Sequence, residues 1–170
     1  MARPLNLAHI ALGSNLGDSR ALLSQAIEGL AGLGRVEALS PIYRTPPFGP
    51  PQPHYLNAAV AMHTTLAPAP LLAKLKEIER ALGRQSNARW GPRLIDLDLL
   101  LVGDRVEDSL RVTLPHPALH LRAFVLVPLA EIAGELRHPL LGRTIWELRD
   151  ALPAADRLAI KRLDLAQPAR

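Results

Sequence analysis

The chain has 170 residues, with 20 Lys or Arg against 16 Asp or Glu, a formal charge of +4, 48% hydrophobic residues and six aromatic rings. That length suits one domain, and the composition is globular, not disordered. The lack of cysteine excludes a disulfide scaffold, a Cys-ligated zinc or iron–sulfur centre and thiol catalysis, and so few aromatics with so small a positive surplus argue against nucleic acid as a partner.

Residues 7–12 read as a short buried strand running into Gly13-Ser14-Asn15-Leu16-Gly17-Asp18, which is turn chemistry ending in a helix N-cap candidate. Leu23, Ala26, Ile27, Leu30 and Leu33 recur at helical spacing, with Gly34 placed to end that helix. A strand is expected over 35–43. Residues 44–54 hold five prolines, which forbid a helix or a central strand and predict a loop. Residues 55–65 alternate as a strand, with Leu56, Ala58, Val60 and Met62 on one face and Tyr55, Asn57 and Ala59 on the other. The clearest helix spans 70–82, with Leu71, Leu72, Leu75, Ile78 and Leu82 as its stripe and Gly83 past its end.

A polar loop, 84–93, then leads into a strand over 94–102 and a turn at Gly103-Asp104. Residues 110–114 are short and extended. Residues 122–132 can be helical from Ala123 if Pro128 falls at a kink or in a first turn, and 144–152 form a further short helix. The order β-α-β-β-α-β followed by helical segments predicts an α+β, ferredoxin-like fold, an antiparallel-rich sheet with helices packed on it. It is expected to form a single domain over 1–170, with a helical C-terminal extension from 134. The opening residues lack the apolar core of a signal peptide, and the longest apolar run, 123–130, is too short to span a bilayer. A soluble, cytoplasmic monomer with no membrane partner is expected.

Three features sit poorly with a purely structural reading. Asp96 and Asp98 flank Leu97 in an apolar strand, so both carboxylates face the same way, about 7 Å apart. They repel unless a cation lies between them, and an oxygen-only donor set selects Mg²⁺ or Mn²⁺. A solvated strand end is the alternative, and the flanking leucines fit it badly. Arg84, Arg89 and Arg93 lie just before the pair. Guanidinium groups beside a metal are equipment for a polyphosphate; a solvated basic loop is the alternative, against which Trp90 argues. Phe48, Tyr55 and Phe124 are half of the aromatics, and Asn57 shares Tyr55's face. That suits a flat heteroaromatic ligand read along its edge by an amide, although three core aromatics and a turn-capping Asn fit the same spacing. Glu79 falls on the apolar stripe of its helix, either reaching outward or aimed at the site. His116, fixed between Pro115 and Pro117, reads as a structural histidine or a preset phosphate donor.

Several segments together resemble the hydroxymethyldihydropterin pyrophosphokinase family of folate biosynthesis. They are Ala11-Leu-Gly-Ser-Asn-Leu-Gly17, Tyr43-Arg-Thr-Pro-Pro47, Tyr55-Leu-Asn-Ala-Ala-Val60, Ile78-Glu79, Gly83-Arg84, Arg89-Trp-Gly-Pro-Arg-Leu-Ile-Asp-Leu-Asp-Leu-Leu100 and Leu114-Pro-His-Pro117, with Arg122-Ala-Phe124 and Pro128-Leu-Ala-Glu-Ile132. They stand in the family's order over residues 8 to 133. The resemblance implies a ferredoxin-like fold and transfer of the pyrophosphoryl group of ATP to the hydroxymethyl oxygen of 6-hydroxymethyl-7,8-dihydropterin, with release of AMP. It implies that Asp96 and Asp98 hold two Mg²⁺ ions on the triphosphate, and that these acids with Arg84 and Arg93 form the catalytic group.

By the same resemblance the dihydropterin would stack between Tyr55 and Phe124. Asn57 and the Thr45 backbone would read its edge, with Pro47 and Phe48 bordering the pocket. Arg84, Arg93, His116 and Arg122 would serve the phosphates, Trp90 would close over the site and Glu79 would border the nucleotide. The chain departs from the family pattern at Gln85-Ser86-Asn87, where many members carry a further basic residue, at Phe48, which replaces a smaller aliphatic, and at Pro117, where some members have Tyr. Two other readings use parts of this equipment: a non-catalytic nucleotide- or RNA-binding ferredoxin-like module, and a metal-dependent phosphohydrolase with water as acceptor.

Overall fold

The computed structural model describes residues 3–47, 49–84 and 91–163. Strand β1 (Asn6–Ser14) runs through the sheet, and α1 (Ser19–Ala31) follows it. Asp18 caps α1 by accepting from the Ala21 amide at 3.2 Å. Gly32 is the C-cap, not Gly34. Gly34 answers a different demand, because a Cβ there would lie 2.1 Å from the His63 carbonyl oxygen.

The single strand expected over 35–43 is two strands, β2 (Arg35–Leu39) and β3 (Tyr43–Thr45). The chain breaks at Ser40-Pro41. Pro41 has no N–H for a ladder, and the Ser40 hydroxyl takes over as acceptor, receiving the Ala59 amide at 2.8 Å. Both strands pair antiparallel with β4 (Tyr55–Thr64), one after the other along its edge. The other edge of β4 pairs with β1, and β1 pairs in turn with β5 (Asp96–Val102), all antiparallel.

Helix α2 (Pro68–Ala81) begins two residues before the expected start, on Pro68, whose missing N–H costs nothing in a first turn. It lies with α1 over one face of the sheet. Ile10, Leu12, Val60, Met62 and Leu97 meet Leu23, Leu30, Leu71 and Leu75 there. The extended residues near 110 form a small hairpin of β6 (Glu107–Asp108) and β7 (Thr113–Leu114). Helix α3 (Ala123–Ala133) covers the opposite face and carries Pro128 in its interior, beyond the first turn. With α4 (Ile145–Asp150) it closes a second core around Ala59, Leu100, Val125, Leu126, Leu129, Ile145 and Leu148.

A short helix, α5 (Ala154–Leu158), precedes the last element. The C-terminal extension is not wholly helical, because β8 (Lys161–Arg162) adds a strand to the free edge of β3. The order across the main sheet is β5-β1-β4-β3-β8, with β2 also on β4. The ferredoxin-like α+β expectation holds, with a helical layer added on the second face. Among the described residues no helix is long and apolar enough to cross a membrane.

Candidate active site

Cross-strand register assembles the site. Tyr43 pairs with Asn57, Asn57 with Gly13, and Gly13 with Asp96, so one row crosses β3, β4, β1 and β5. Directly paired residues point to the same face. Asn57 and Asp96 therefore stand on one face with a single strand between them, about 10 Å apart at two strand spacings. The next row, Ala59, Ala11 and Asp98, repeats the pattern with small residues in the middle. Gly13 and Ala11 leave the floor open, and a cavity of about 290 Å³ lies above it. Its walls include Thr45, Pro46, Tyr55, Arg93, Arg122 and Phe124, and both aspartates open onto it. Pro46, and not Pro47, is on the wall.

The polar end of this slot is set by a buried pair. The Thr45 hydroxyl donates to Asn57 Oδ1 at 2.6 Å, which leaves the Asn57 amide nitrogen as a donor whose acceptor among the described residues, the Leu12 carbonyl, is at 3.5 Å. Tyr55 stands one register step on, paired with Thr45. Arg122 lies over the Phe124 ring at 5.7 Å from its centroid, a cation on an aromatic face. Gly13 matters because a Cβ there would fall 2.8 Å from Asn57 Nδ2. Gly13→Ala is expected to push the Asn57 amide aside and weaken ligand binding in the slot about tenfold while the sheet stays folded. Calorimetric titration alongside a thermal melt checks this, and unchanged affinity would refute it.

The carboxylates differ. Asp96 accepts from Arg84 Nη1 at 2.8 Å. Asp98 makes no hydrogen bond or ion pair among the described residues. Burial, and after it the charge of Asp96, push its carboxyl up to about 6, while Lys76 and Arg122 pull the other way. A half-buried acid beside a second acid concentrates negative charge, which favours a cation there. No cluster of three or more His, Cys, Asp or Glu side chains suited to a metal occurs among the described residues. Two carboxylates alone, with no nitrogen or sulfur donor, fit Mg²⁺, which takes one or two protein carboxylates and completes its shell with phosphate oxygens and water.

Glu79 does not reach outward. It is 3% exposed, and it accepts from the Leu97 amide at 2.8 Å, from Lys76 Nζ at 3.1 Å and from Arg84 Nη1 at 2.5 Å. Arg84 is thus clasped between Glu79 on α2 and Asp96 on β5. Burial opposes its charge, but the two acids outweigh that and hold its pKa above the ordinary value. His116 accepts the Ala118 amide on Nδ1 at 3.2 Å, so its neutral ring carries the proton on Nε2. Burial, then Arg122, lower its pKa, which keeps the ring neutral near pH 7.

Two contributors escape the sequence reading. Lys76 sits three residues before Glu79 on α2 and acts electrostatically on Asp98 and His116. Asn15, read above only as turn chemistry, is 3% exposed and ties three loops together. Its amide nitrogen donates to Gln52 Oε1 and the Pro53 carbonyl, both at 2.9 Å, and its side-chain oxygen accepts the Arg93 amide at 2.8 Å. The family-like motif around Gly13 was the one signal for it. Phe48, Arg89 and Trp90 lie outside the described residues.

An antiparallel sheet that brings paired acids, arginines, two aromatic rings and a buried amide to one cavity defines a class: an α+β protein with a charged site beside an aromatic-walled pocket. Comparison with known proteins makes the class specific. The sequence model of the 7,8-dihydro-6-hydroxymethylpterin-pyrophosphokinase (HPPK) family matches residues 9–134, and the chain belongs to that family. It is 48% identical over 161 residues to a 2-amino-4-hydroxy-6-hydroxymethyldihydropteridine pyrophosphokinase of Methylorubrum extorquens, covering 92% of this chain and 98% of the relative. The like-named proteins of Synechocystis and Pseudomonas aeruginosa are 46% and 44% identical, over 83% and 85% of this chain and 73% and 91% of theirs. Among solved structures, wild-type Plasmodium falciparum HPPK-DHPS with pteroate superposes with a TM-score of 0.72 at 16% identity over 88% of this chain, a likeness of fold. The chain spans 43% of the length of that crystallised protein.

Proposed function

We propose that the chain transfers the pyrophosphoryl group of ATP to the hydroxymethyl oxygen of 6-hydroxymethyl-7,8-dihydropterin, giving AMP and the pterin diphosphate in folate biosynthesis. The observation that carries this reading is the shared cavity: Asn57 and the Asp96/Asp98 pair open into one space, two strands apart. A ring held at Asn57 places its substituent toward the acids.

In this reading the pterin lies between Tyr55 and Phe124. The Asn57 amide nitrogen, held among the described residues only by a long bond to the Leu12 carbonyl, and the Thr45 backbone read its edge, and Thr45 fixes which way the Asn57 amide faces. Asp96 and Asp98 would hold two Mg²⁺ ions, which would offset the charge of the triphosphate oxygens. Arg84, Arg93, Arg122 and the Nε2–H of His116 serve the phosphates, and Glu79 keeps Arg84 aimed. The hydroxymethyl oxygen bonds to the β-phosphorus as the bond from that phosphorus to the α–β bridging oxygen breaks; AMP leaves, and the hydroxyl proton passes to a phosphate oxygen. Such displacement needs alignment and charge neutralisation more than a protein base, and no residue is assigned as one. Asn15 holds the three surrounding loops in register so that they shut out water, the competing acceptor.

The RNA-module reading loses its surface, because α3 covers the sheet face that would have to stack bases. Incubation with ATP, Mg²⁺ and the hydroxymethyl dihydropterin tests the proposal. AMP formed in step with pterin diphosphate supports it; ADP, or nucleotide hydrolysis without pterin, rejects it. Asn57→Ala is expected to weaken pterin binding about tenfold, the cost of a hydrogen bond or two, and to leave ATP binding within about twofold. Calorimetry with each ligand separates the two, and a larger loss for ATP would reassign the pocket.

A further inference from the structure

Beyond the residues that face the ligand, the row across the sheet continues outward to Tyr43. Tyr43 is the direct partner of Asn57, and Thr45, two residues on, is the hydroxyl donor that orients Asn57. Both are on β3, a strand of three residues, too short to hold its own position. Three neighbours hold it. One is β4. The second is α3: the hydroxyl of the buried Tyr43 donates to Glu131. The third is β8, through Tyr43 with Arg162, Arg44 with Lys161, and the Leu163 amide donating to the Ile42 carbonyl at 2.9 Å.

Glu131 lies seven residues after Phe124 on α3, two turns along the same helix face and about 10 Å away. The Tyr43–Glu131 bond thus joins the strand carrying one wall residue of the slot, Thr45, to the helix carrying another, Phe124. Burial first, and Glu131 after it, push the Tyr43 hydroxyl up to about 12, so it stays a donor at neutral pH.

We infer that Tyr43 and Glu131 are a positioning pair which, together with the C-terminal strand β8, sets the width of the pterin slot and so its affinity for the ring. This rests on the reading of the slot given above. Neither residue touches the ligand; they act through Thr45, Asn57 and Phe124. The pair is selective by location, since it lies at the end of the row opposite the aspartates, so ATP binding is unaffected by it. Strand β8 gives the C-terminal extension a role in the same device: it pairs the outer edge of β3, which would otherwise be unsatisfied and free to shift.

The test is calorimetry of the full-length chain with the pterin and, separately, with a non-hydrolysable ATP analogue and Mg²⁺, beside a thermal melt. Tyr43→Phe keeps the buried ring and removes only the donor. It is expected to weaken pterin binding about fivefold to tenfold and leave the nucleotide within about twofold. Glu131→Ala should match it, the double variant should be no worse than either alone, and Glu131→Gln, which keeps an acceptor oxygen, should restore most of the affinity. Leu163→Pro removes the amide that donates to Ile42 and should give the same pterin-selective loss. A Tyr43→Phe chain that melts earlier but binds pterin like the wild type would make the pair merely structural and overturn the inference. Equal losses for both ligands would overturn it too. A wild-type chain that takes up no pterin at all would reject the reading of the slot and this inference with it.

Discussion

Asp98→Asn is expected to lower turnover by about 10³-fold or more, a loss of roughly 4 kcal/mol of transition-state stabilisation, while the metal-free protein melts no earlier than the wild type. The two halves of that expectation have one cause. Asp98 is half-buried beside Asp96 on the cavity wall, with no hydrogen bond or ion pair among the described residues, and desolvation, then the charge of Asp96, push its carboxyl up to about 6. In the proposed function that charge is there to hold a cation. Asparagine has the same shape without the charge, so it relieves the repulsion and removes the anion that draws the ion in. Asp96→Asn should lose turnover on the same scale but should also lose some stability, because Asp96 holds Arg84 at 2.8 Å. That pair is partly exposed, which limits the cost to about 1 kcal/mol. Initial rates at saturating pterin with varied Mg²⁺, and melts without metal, check both. A rate within tenfold of the wild type for Asp98→Asn would remove the metal-holding role from this strand.

The carboxylate pair was legible because it violates a local rule: two acids at strand spacing inside an apolar run need an external reason. The faces of β4 were legible for a similar reason, since one register shift would reverse every side chain. What sequence did not disclose depends on partners far along the chain. Asn15 earns its place through acceptors and donors 37, 38 and 78 residues away, and as a lone Asn in a Gly-rich turn it looks like any other turn residue. The break between β2 and β3 hangs on the Ser40 hydroxyl meeting the Ala59 amide. Lys161-Arg162 has no strand signal of its own; β8 exists because β3 leaves an edge to be paired. Gly34 was read as a helix end because a glycine after a helix usually is one, whereas here it admits the His63 carbonyl. Periodicity showed which faces are buried and chemistry showed which residues were out of place, but neither shows which loops meet.

Glu79 gives the second large effect, and it separates a stability role from an aiming role. A helix stripe cannot decide whether a carboxylate at its border turns in or out; the structure turns it in, against Leu97, Lys76 and Arg84. Glu79→Ala leaves the buried Leu97 amide without an acceptor, takes away the ion-pair partner of Lys76 and removes one of the two acids on Arg84, an expected loss of about 3 kcal/mol, at the low end for a broken buried pair because Lys76 and Arg84 are partly solvated. Urea denaturation measures it. Arg84 would then be held by Asp96 alone, and turnover should fall about 10²-fold. Glu79→Gln is the discriminating variant. Its amide oxygen can still accept from Leu97, so most of the stability should return, but a neutral amide is a weaker partner for Arg84 than a carboxylate. If Arg84 must be aimed by charge, Glu79→Gln should fold nearly as well as the wild type and still turn over at least tenfold more slowly, with the loss in kcat and not in the KM for pterin. If Gln restores turnover together with stability, Glu79 merely fastens α2 to β5, and the role proposed for Arg84 does not depend on it.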